Sequence, residues 1–140
     1  MTQLTEHAIG DATTRTIRQT ILDYFEGWYD ADAVRMERAL HPELAKRTVR
    51  HDEPGSTTLS TVTAQRMIEQ TGQGAGVDDG KDRTLEIEVL DVYGPVATAL
   101  VRSAVYHEYV HLVEVGGEWR IANALWTYTQ RAGANGVDDA

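Results

Sequence analysis

Residues 106–128 read Tyr106-His-Glu-Tyr-Val-His-Leu-Val-Glu-Val115, Gly116-Gly117, Glu118-Trp-Arg-Ile-Ala-Asn-Ala-Leu-Trp-Thr-Tyr128. Two alternating, β-branched and aromatic runs flank a pair of glycines. Gly-Gly accepts the positive φ that a two-residue hairpin turn requires, so the stretch predicts two long antiparallel strands. Such a turn pairs 115 with 118, 113 with 120, 111 with 122, 109 with 124 and 107 with 126. Side chains alternate across a strand, so two faces follow. One carries His107, Tyr109, His111, Val113, Arg120, Ala122, Ala124 and Trp126. The other carries Glu108, Val110, Leu112, Trp119, Ile121, Asn123 and Leu125.

Neither face is polar enough to be plainly solvated. One should line a cavity. The other should pack on something, most simply a second copy of the chain. The small alanines beside Tyr109, His111 and Trp126 leave room, and His and Tyr offer hydrogen bonds and proton transfer. The first face is therefore taken as the pocket and the second as a dry interface. A bulge in either strand would undo this parity.

Working outward, Thr84 to Val92 alternates, Gly94-Pro95 turns, and Val96 to Val105 is apolar and β-branched. These extend the hairpin into a meander. Ahead of it, Ile17, Ile21, Tyr24, Phe25 and Trp28 fall on one stripe of a helix over 12–29. Asp32 can cap a second helix to Leu40, with Ala33, Met36 and Leu40 inward and Pro42 just beyond. Residues 44–51 read as a strand, Asp52-Glu-Pro-Gly55 as a turn, and Leu59 and Val62 as a second short strand. Thr63 can cap a third helix over 64–71, with Met67 and Ile68 buried and Gly72 ending it. The glycine- and aspartate-rich segment 72–82 is a connector or a flap over a pocket mouth. The order of elements is that of an α+β domain, a cone-shaped curved antiparallel sheet wrapped around three N-terminal helices. The expected organisation is a flexible N-terminus over 1–11, one domain over 12–129 and a flexible tail over 130–140.

The chain has 140 residues, enough for one domain with a real core. Its net charge is −9, from 22 acidic and 13 basic residues, so a phosphate-rich partner would be repelled and nucleic acid is not expected. Asp78, Asp79, Asp138 and Asp139 read as solvated loop and tail acids. There is no cysteine, hence no disulfide or thiolate chemistry. No apolar run reaches the length of a membrane helix, and the first ten residues lack the layout of a secretion signal, so a cytoplasmic location is expected. His107 and His111 lie about 13 Å apart along a strand, too far to share one ion. There is no HExxH, no glycine-rich nucleotide loop and no GxSxG. Neither a metal nor a cofactor is expected.

The segments Tyr24-Phe-Glu-Gly-Trp-Tyr-Asp-Ala-Asp32, Met36-Glu-Arg-Ala-Leu-His-Pro-Glu-Leu-Ala-Lys-Arg47, Tyr109-Val-His-Leu112 and Trp119-Arg-Ile-Ala-Asn-Ala-Leu-Trp126 resemble the nuclear transport factor 2-like superfamily, and within it the lumazine-binding-like branch. The resemblance covers residues 14–128. It implies a cone-shaped α+β barrel, usually dimeric, in a superfamily that holds ketosteroid isomerases, polyketide cyclases, scytalone dehydratase, limonene epoxide hydrolase and non-catalytic binding modules. It sets Ala122, Ala124 and Trp126 on the concave side, and Tyr24 where the isomerases carry a tyrosine that donates to an oxyanion. The isomerases' catalytic aspartate falls near Val49 here. That carboxylate is absent, and His51, two residues on, can take its role. Glu108 stands where the branch is expected to carry Asp.

The site expected on these grounds has His51, His111, Tyr24 and Tyr109 as acid/base groups. Trp28, Met36, Met67, His107, Ala124, Trp126, Glu108 and Asn123 are its ligand-binding residues. A neutral His can take a proton, and a Tyr can stabilise an oxyanion or enolate. Each His is as readily explained by a structural role. Glu108 is either a buried acid or a partner for Asn123 or a second subunit. Lys46, Arg47 and Arg50 either attract an anionic ligand or balance acidic neighbours. The expected function is cofactor-free acid/base chemistry of lyase, isomerase, cyclase or epoxide hydrolase type on a mostly apolar small molecule. The alternative is a non-catalytic binding or dimerisation module.

Overall fold

In the computed structural model of the chain, residues 2–130 are described, with side chains from residue 11 onward. Three helices come first: α1 (Thr2–Tyr29), α2 (Ala33–Ala39) and α3 (Ala64–Gly72). The strands are β1 (Leu40–Glu53), β2 (Ser56–Val62), β3 (Leu85–Tyr93), β4 (Val96–Ser103), β5 (Tyr106–Val115) and β6 (Glu118–Tyr128). They form one sheet in the order β2-β1-β6-β5-β4-β3. β1 runs parallel to β6 and every other neighbouring pair is antiparallel. The sheet curves without closing, and the helices fill its concave side, giving the α+β cone. α1 begins at Thr2, well before the expected residue 12. The expected tail lies outside the described residues except for Gln130.

Local chemistry accounts for the element ends. The Asp32 carboxylate accepts from the Arg35 amide and the Thr63 hydroxyl from the Arg66 amide, so each caps the helix that follows. Gly116 and Gly117 take φ of 61° and 83°, values that a side chain would make costly. The α1 stripe packs as its spacing predicts. Ile17, Ile21, Tyr24 and Phe25 are buried against Met36, Val101, Val110, Leu112 and Ile121. Two polar contacts fix α1 on the sheet: Arg18 Nη1 donates to the Ile87 carbonyl at 2.6 Å, and Thr20 Oγ1 to the Trp119 carbonyl at 3.0 Å.

The β5–β6 register departs from the simple hairpin in one place. Val115 pairs with Glu118 and Leu112 with Ile121, as the turn dictates. His111 then pairs with Asn123, so Ala122 is an extra residue and every later pair is shifted: Tyr109 with Leu125, Glu108 with Trp126, His107 with Thr127. This bulge reverses the inside/outside parity of β6 between Ile121 and Asn123. Trp119, Ile121, Ala124 and Trp126 therefore all face the helices, opposite Glu108, Val110 and Leu112 of β5.

Candidate active site in the cone

The bulge corrects the face assigned to the pocket. His107, Tyr109 and His111 are on the outer side of the sheet, with Asn123 and Leu125. Tyr109 is 50% exposed, its hydroxyl 3.2 Å from His107 Nε2. His111 Nδ1 lies 3.4 Å from Asn123 Nδ2 on the same outer surface. His51 is exposed at the irregularity of the β1–β2 ladder between Arg50 and Glu53, its Nδ1 3.4 Å from Thr57 Oγ1. None of His51, His107, Tyr109, His111 and Asn123 lines the inner cavity. Met36 is buried in the core beneath it, and Ala124 is buried on the concave face. Tyr24, Trp28, Met67, Glu108 and Trp126 do line it.

That cavity has a volume of about 90 Å³ between α1, α3 and strands β1, β2, β5 and β6. Its walls are mostly aromatic and aliphatic: Phe25, Trp28, Val62, Met67, Tyr106 and Trp126. Three polar groups converge on it. The Tyr24 hydroxyl donates to Glu108 Oε2 at 2.6 Å. Lys46 Nζ donates to the same hydroxyl oxygen and lies 4.0 Å from Glu108 Oε2. The ammonium also sits over the Tyr24 ring at 4.9 Å and the Trp126 ring at 5.7 Å, in cation–π range. Glu108 thus pairs with Tyr24 and Lys46, and not with Asn123.

Burial dominates the electrostatics. It pushes the Tyr24 phenol well above its ordinary pKa, and the neighbouring Glu108 adds to the rise. It pushes the Lys46 amine down, opposed by the Glu108 and Asp79 carboxylates. A buried ion pair regains in Coulomb energy roughly what it loses in desolvation, so an apolar replacement would serve stability as well. Charged groups that converge in an apolar cavity mark a candidate site for proton chemistry.

The segment between α3 and β3, which contains the 3-10 turn η1 (Asp78–Lys81), is bonded to two aromatic residues of the cavity wall. Asp79 Oδ2 accepts from Trp28 Nε1 at 2.8 Å and from the Tyr106 hydroxyl at 2.5 Å. Asp79 is therefore a structural clasp and not a solvated loop acid. Gly76 is pressed on the Trp28 indole so closely that a Cβ would lie 2.4 Å from ring atoms.

Lys46, Asp79 and Tyr106 were not picked out as site residues from the sequence. For Lys46 a signal existed. It shares a strand face with Leu44 and Thr48, and Leu44 is the apolar member that marks that face as inward. Nothing local marks Asp79, because its partners come from α1 and β5.

Outside the cone, the convex face carries an open groove of about 630 Å³ whose walls include His41, Tyr93, Val96, His111 and Asn123. It is the larger depression; in its wall His111 lies against Asn123, and His41 Nδ1 accepts from the Glu43 amide. Among the described residues no three His, Cys, Asp or Glu side chains gather as a metal site requires. No described helix is long and apolar enough to cross a membrane.

Residues 12–127 match the model of the family described as "Putative lumazine-binding". The chain belongs to this family. Similar solved structures agree on its fold. A nuclear transport factor 2-like protein of unknown function from Silicibacter pomeroyi superposes with a TM-score of 0.71 at 15% identity, covering 85% of this chain and 98% of that one. A ketosteroid isomerase-like protein from Erwinia carotovora atroseptica gives 0.59 at 17% identity, covering 83% and 95%. A cystatin-like fold protein from Caulobacter vibrioides gives 0.57 at 19% identity, covering 88% and 94%. The lumazine-binding-like chain thus has the fold of the nuclear transport factor 2-like proteins. No functionally curated protein matches its sequence.

Proposed function

We propose that this lumazine-binding-like chain binds a small, mostly apolar organic molecule in the cone and carries out cofactor-free proton transfer on it, as an isomerase, lyase, cyclase or epoxide hydrolase does. One observation carries the reading: Tyr24, Glu108 and Lys46 converge on one hydroxyl in a mostly apolar cavity, whose wall also includes Gln70. Glu108 is the proton acceptor. Tyr24 and Lys46 are donors for the oxygen on which negative charge develops, and burial makes such donors worth more than in water. Water is kept out by the aromatic wall and the Asp79 clasp.

The cavity is far below the roughly 300–1,000 Å³ of pockets for drug-sized ligands. A larger ligand such as lumazine, named in the family's description, would have to displace the 72–82 segment. The same small volume favours the second reading, a binding module without turnover.

Deuterium exchange at the α-carbons of 2-butanone in D2O, followed by NMR, separates the two. The expected result is catalysed exchange, lost about 10²–10⁴-fold in Glu108→Gln. Saturable binding without exchange leaves the binding module. Neither exchange nor binding, for this ketone and for lumazine, overturns both.

A homodimer through the convex face belongs to the proposal. Tyr93 is 81% exposed there, paired with the exposed Val96, and Tyr109 and Leu125 are exposed as a second pair. Sedimentation should give twice the chain mass, and Leu125→Glu should give a monomer. A cytoplasmic location is also part of it, and cell fractionation tests that.

A further inference from the structure

The chain has two lysines, Lys46 and Lys81, against eleven arginines. Nearly every cationic position is thus filled by a guanidinium, which cannot act as a nucleophile at accessible pH. The exception that is buried is the primary amine in the cavity. Lys46 has 13% side-chain exposure, whereas Lys81 has 81% and lies 3.7 Å from Asp78 on the surface. The Lys46 amine faces Trp126 and Tyr24, and the Tyr24 hydroxyl links it to the Glu108 carboxylate. An amine, a hydroxyl and a carboxylate in that order form a path by which the ammonium can lose a proton and later receive one.

We propose that Lys46 forms a reversible imine with a small unhindered aldehyde or ketone bound in the cone. The inference rests on the reading that the cone takes an organic molecule, and it names the class. A cavity of about 90 Å³ is several times smaller than the roughly 300–1,000 Å³ of pockets for drug-sized ligands, so it suits only a small molecule. The carbonyl compound is correspondingly short, with its alkyl part against Trp126, Met67 and Val62.

The step balances. The Lys46 ammonium passes a proton to Glu108 through Tyr24. The free amine adds its lone pair to the carbonyl carbon, forming the C–N bond, and the oxygen takes a proton from the same relay. Glu108 then takes a proton from the carbinolamine nitrogen through the relay and returns it to the hydroxyl, which leaves as water and so leaves the protonated C=N. Nothing is oxidised or reduced. Burial already disfavours the charged form of Lys46, which supports its service as a nucleophile. The protonated imine is a stronger electron sink than a hydrogen-bonded carbonyl. Glu108, freed of its proton load, can then remove the α-hydrogen.

The test is reductive trapping. The full chain is incubated with 2-butanone and sodium cyanoborohydride, and the alkylated residue is located by peptide mass mapping. Reduction converts the imine to a stable secondary amine. Lys46 should be alkylated at least about tenfold faster than exposed Lys81, with the rate rising at lower pH than for Lys81. In urea the two lysines should react alike. Lys46→Arg, checked for folding by circular dichroism, should abolish the fast site and leave Lys81 unchanged. Equal or slower alkylation at Lys46 in the folded chain overturns the proposal. α-Hydrogen exchange without trapping at Lys46 also overturns it while leaving the acid/base reading intact. Trapping at Lys46 without exchange supports the imine and removes the proton-transfer reading.

Discussion

The Tyr24 hydroxyl donates a 2.6 Å hydrogen bond to Glu108 across a sequence separation of 84 residues, and both side chains are buried. This bond joins the C-terminal part of α1 to the start of β5, and Lys46 from β1 closes on the same oxygen. Three elements therefore meet at one proton.

Such a cluster separates stability from function. Removing one member of a buried charge pair strands the other, so Glu108→Leu should cost about 3–5 kcal/mol. Replacing all three polar groups, as Tyr24→Phe/Lys46→Met/Glu108→Leu, leaves no stranded group. That triple variant should be within about 1 kcal/mol of the parent or up to about 4 kcal/mol more stable, while losing activity. Urea titrations of the two variants and the parent measure both. A triple variant as unstable as Glu108→Leu would mean that the cluster holds the fold.

How much of this was legible is decided by one residue. Alternation along 106–115 and 118–128 identified both strands, their turn and the pairs nearest it. Ala122 then bulges, and an alanine flanked by Ile121 and Asn123 carries no local signal for that. The bulge is selected by the sheet's curvature, which lets Ile121 and Ala124 both reach the core. The histidines were consequently assigned inward with Ala124 and Trp126, when only the β6 residues point there. Helix caps and the α1 stripe were legible because they depend on spacings of three or four residues. The Tyr24–Glu108–Lys46 meeting was not, because it depends on the register of three strands. Glu108 was the nearest to a visible signal: it shares parity with Val110 and Leu112, two strictly apolar positions.

Alkaline pH should weaken the fold in a defined window. The Tyr24 phenol is held above its ordinary value by burial and Glu108, and that of Tyr106 by burial and Asp79. A group whose folded pKa is raised contributes stability that is complete below its unfolded value and is lost as pH rises. Above pH ~10 the unfolded chain releases these protons and the native chain keeps them, costing about 1.4 kcal/mol per pH unit for each phenol. Lys46 acts oppositely and lower down. Its depressed folded pKa makes stability rise with pH until the unfolded lysine titrates near ~10.4. Urea midpoints across pH 8–11.5 should therefore fall more gently at the alkaline end for Tyr24→Phe. An unchanged slope would show that Tyr24 titrates normally in the fold.

Gly76 is fixed by proximity, not by backbone angle. A Cβ there would lie 2.4 Å from the Trp28 ring, so Gly76→Ala must push the segment off the indole. Overpacking of this kind costs about 1–3 kcal/mol. Because Trp28 also bonds Asp79, its fluorescence should shift to the red as water reaches the ring. A variant with native stability and native emission would show that the segment does not press on Trp28.

Asp79 is the cheaper way to open the same mouth. Its carboxylate takes the Trp28 indole N–H and the Tyr106 hydroxyl, and Arg83 with Asp30 at 2.6 Å anchors the following turn independently. Asp79→Ala therefore frees two donors without removing the anchor. Loss of two charge-assisted bonds, offset by water reaching the exposed rim, predicts a cost of about 1–3 kcal/mol. Amide exchange over 73–80 should accelerate, while the β5–β6 core stays protected. If the clasp limits entry, lumazine and other ligands larger than the cavity should associate faster with Asp79→Ala than with the parent, and small ketones at similar rates. Equal association rates for large ligands would assign the segment a purely structural role, because a closed mouth must slow what it excludes.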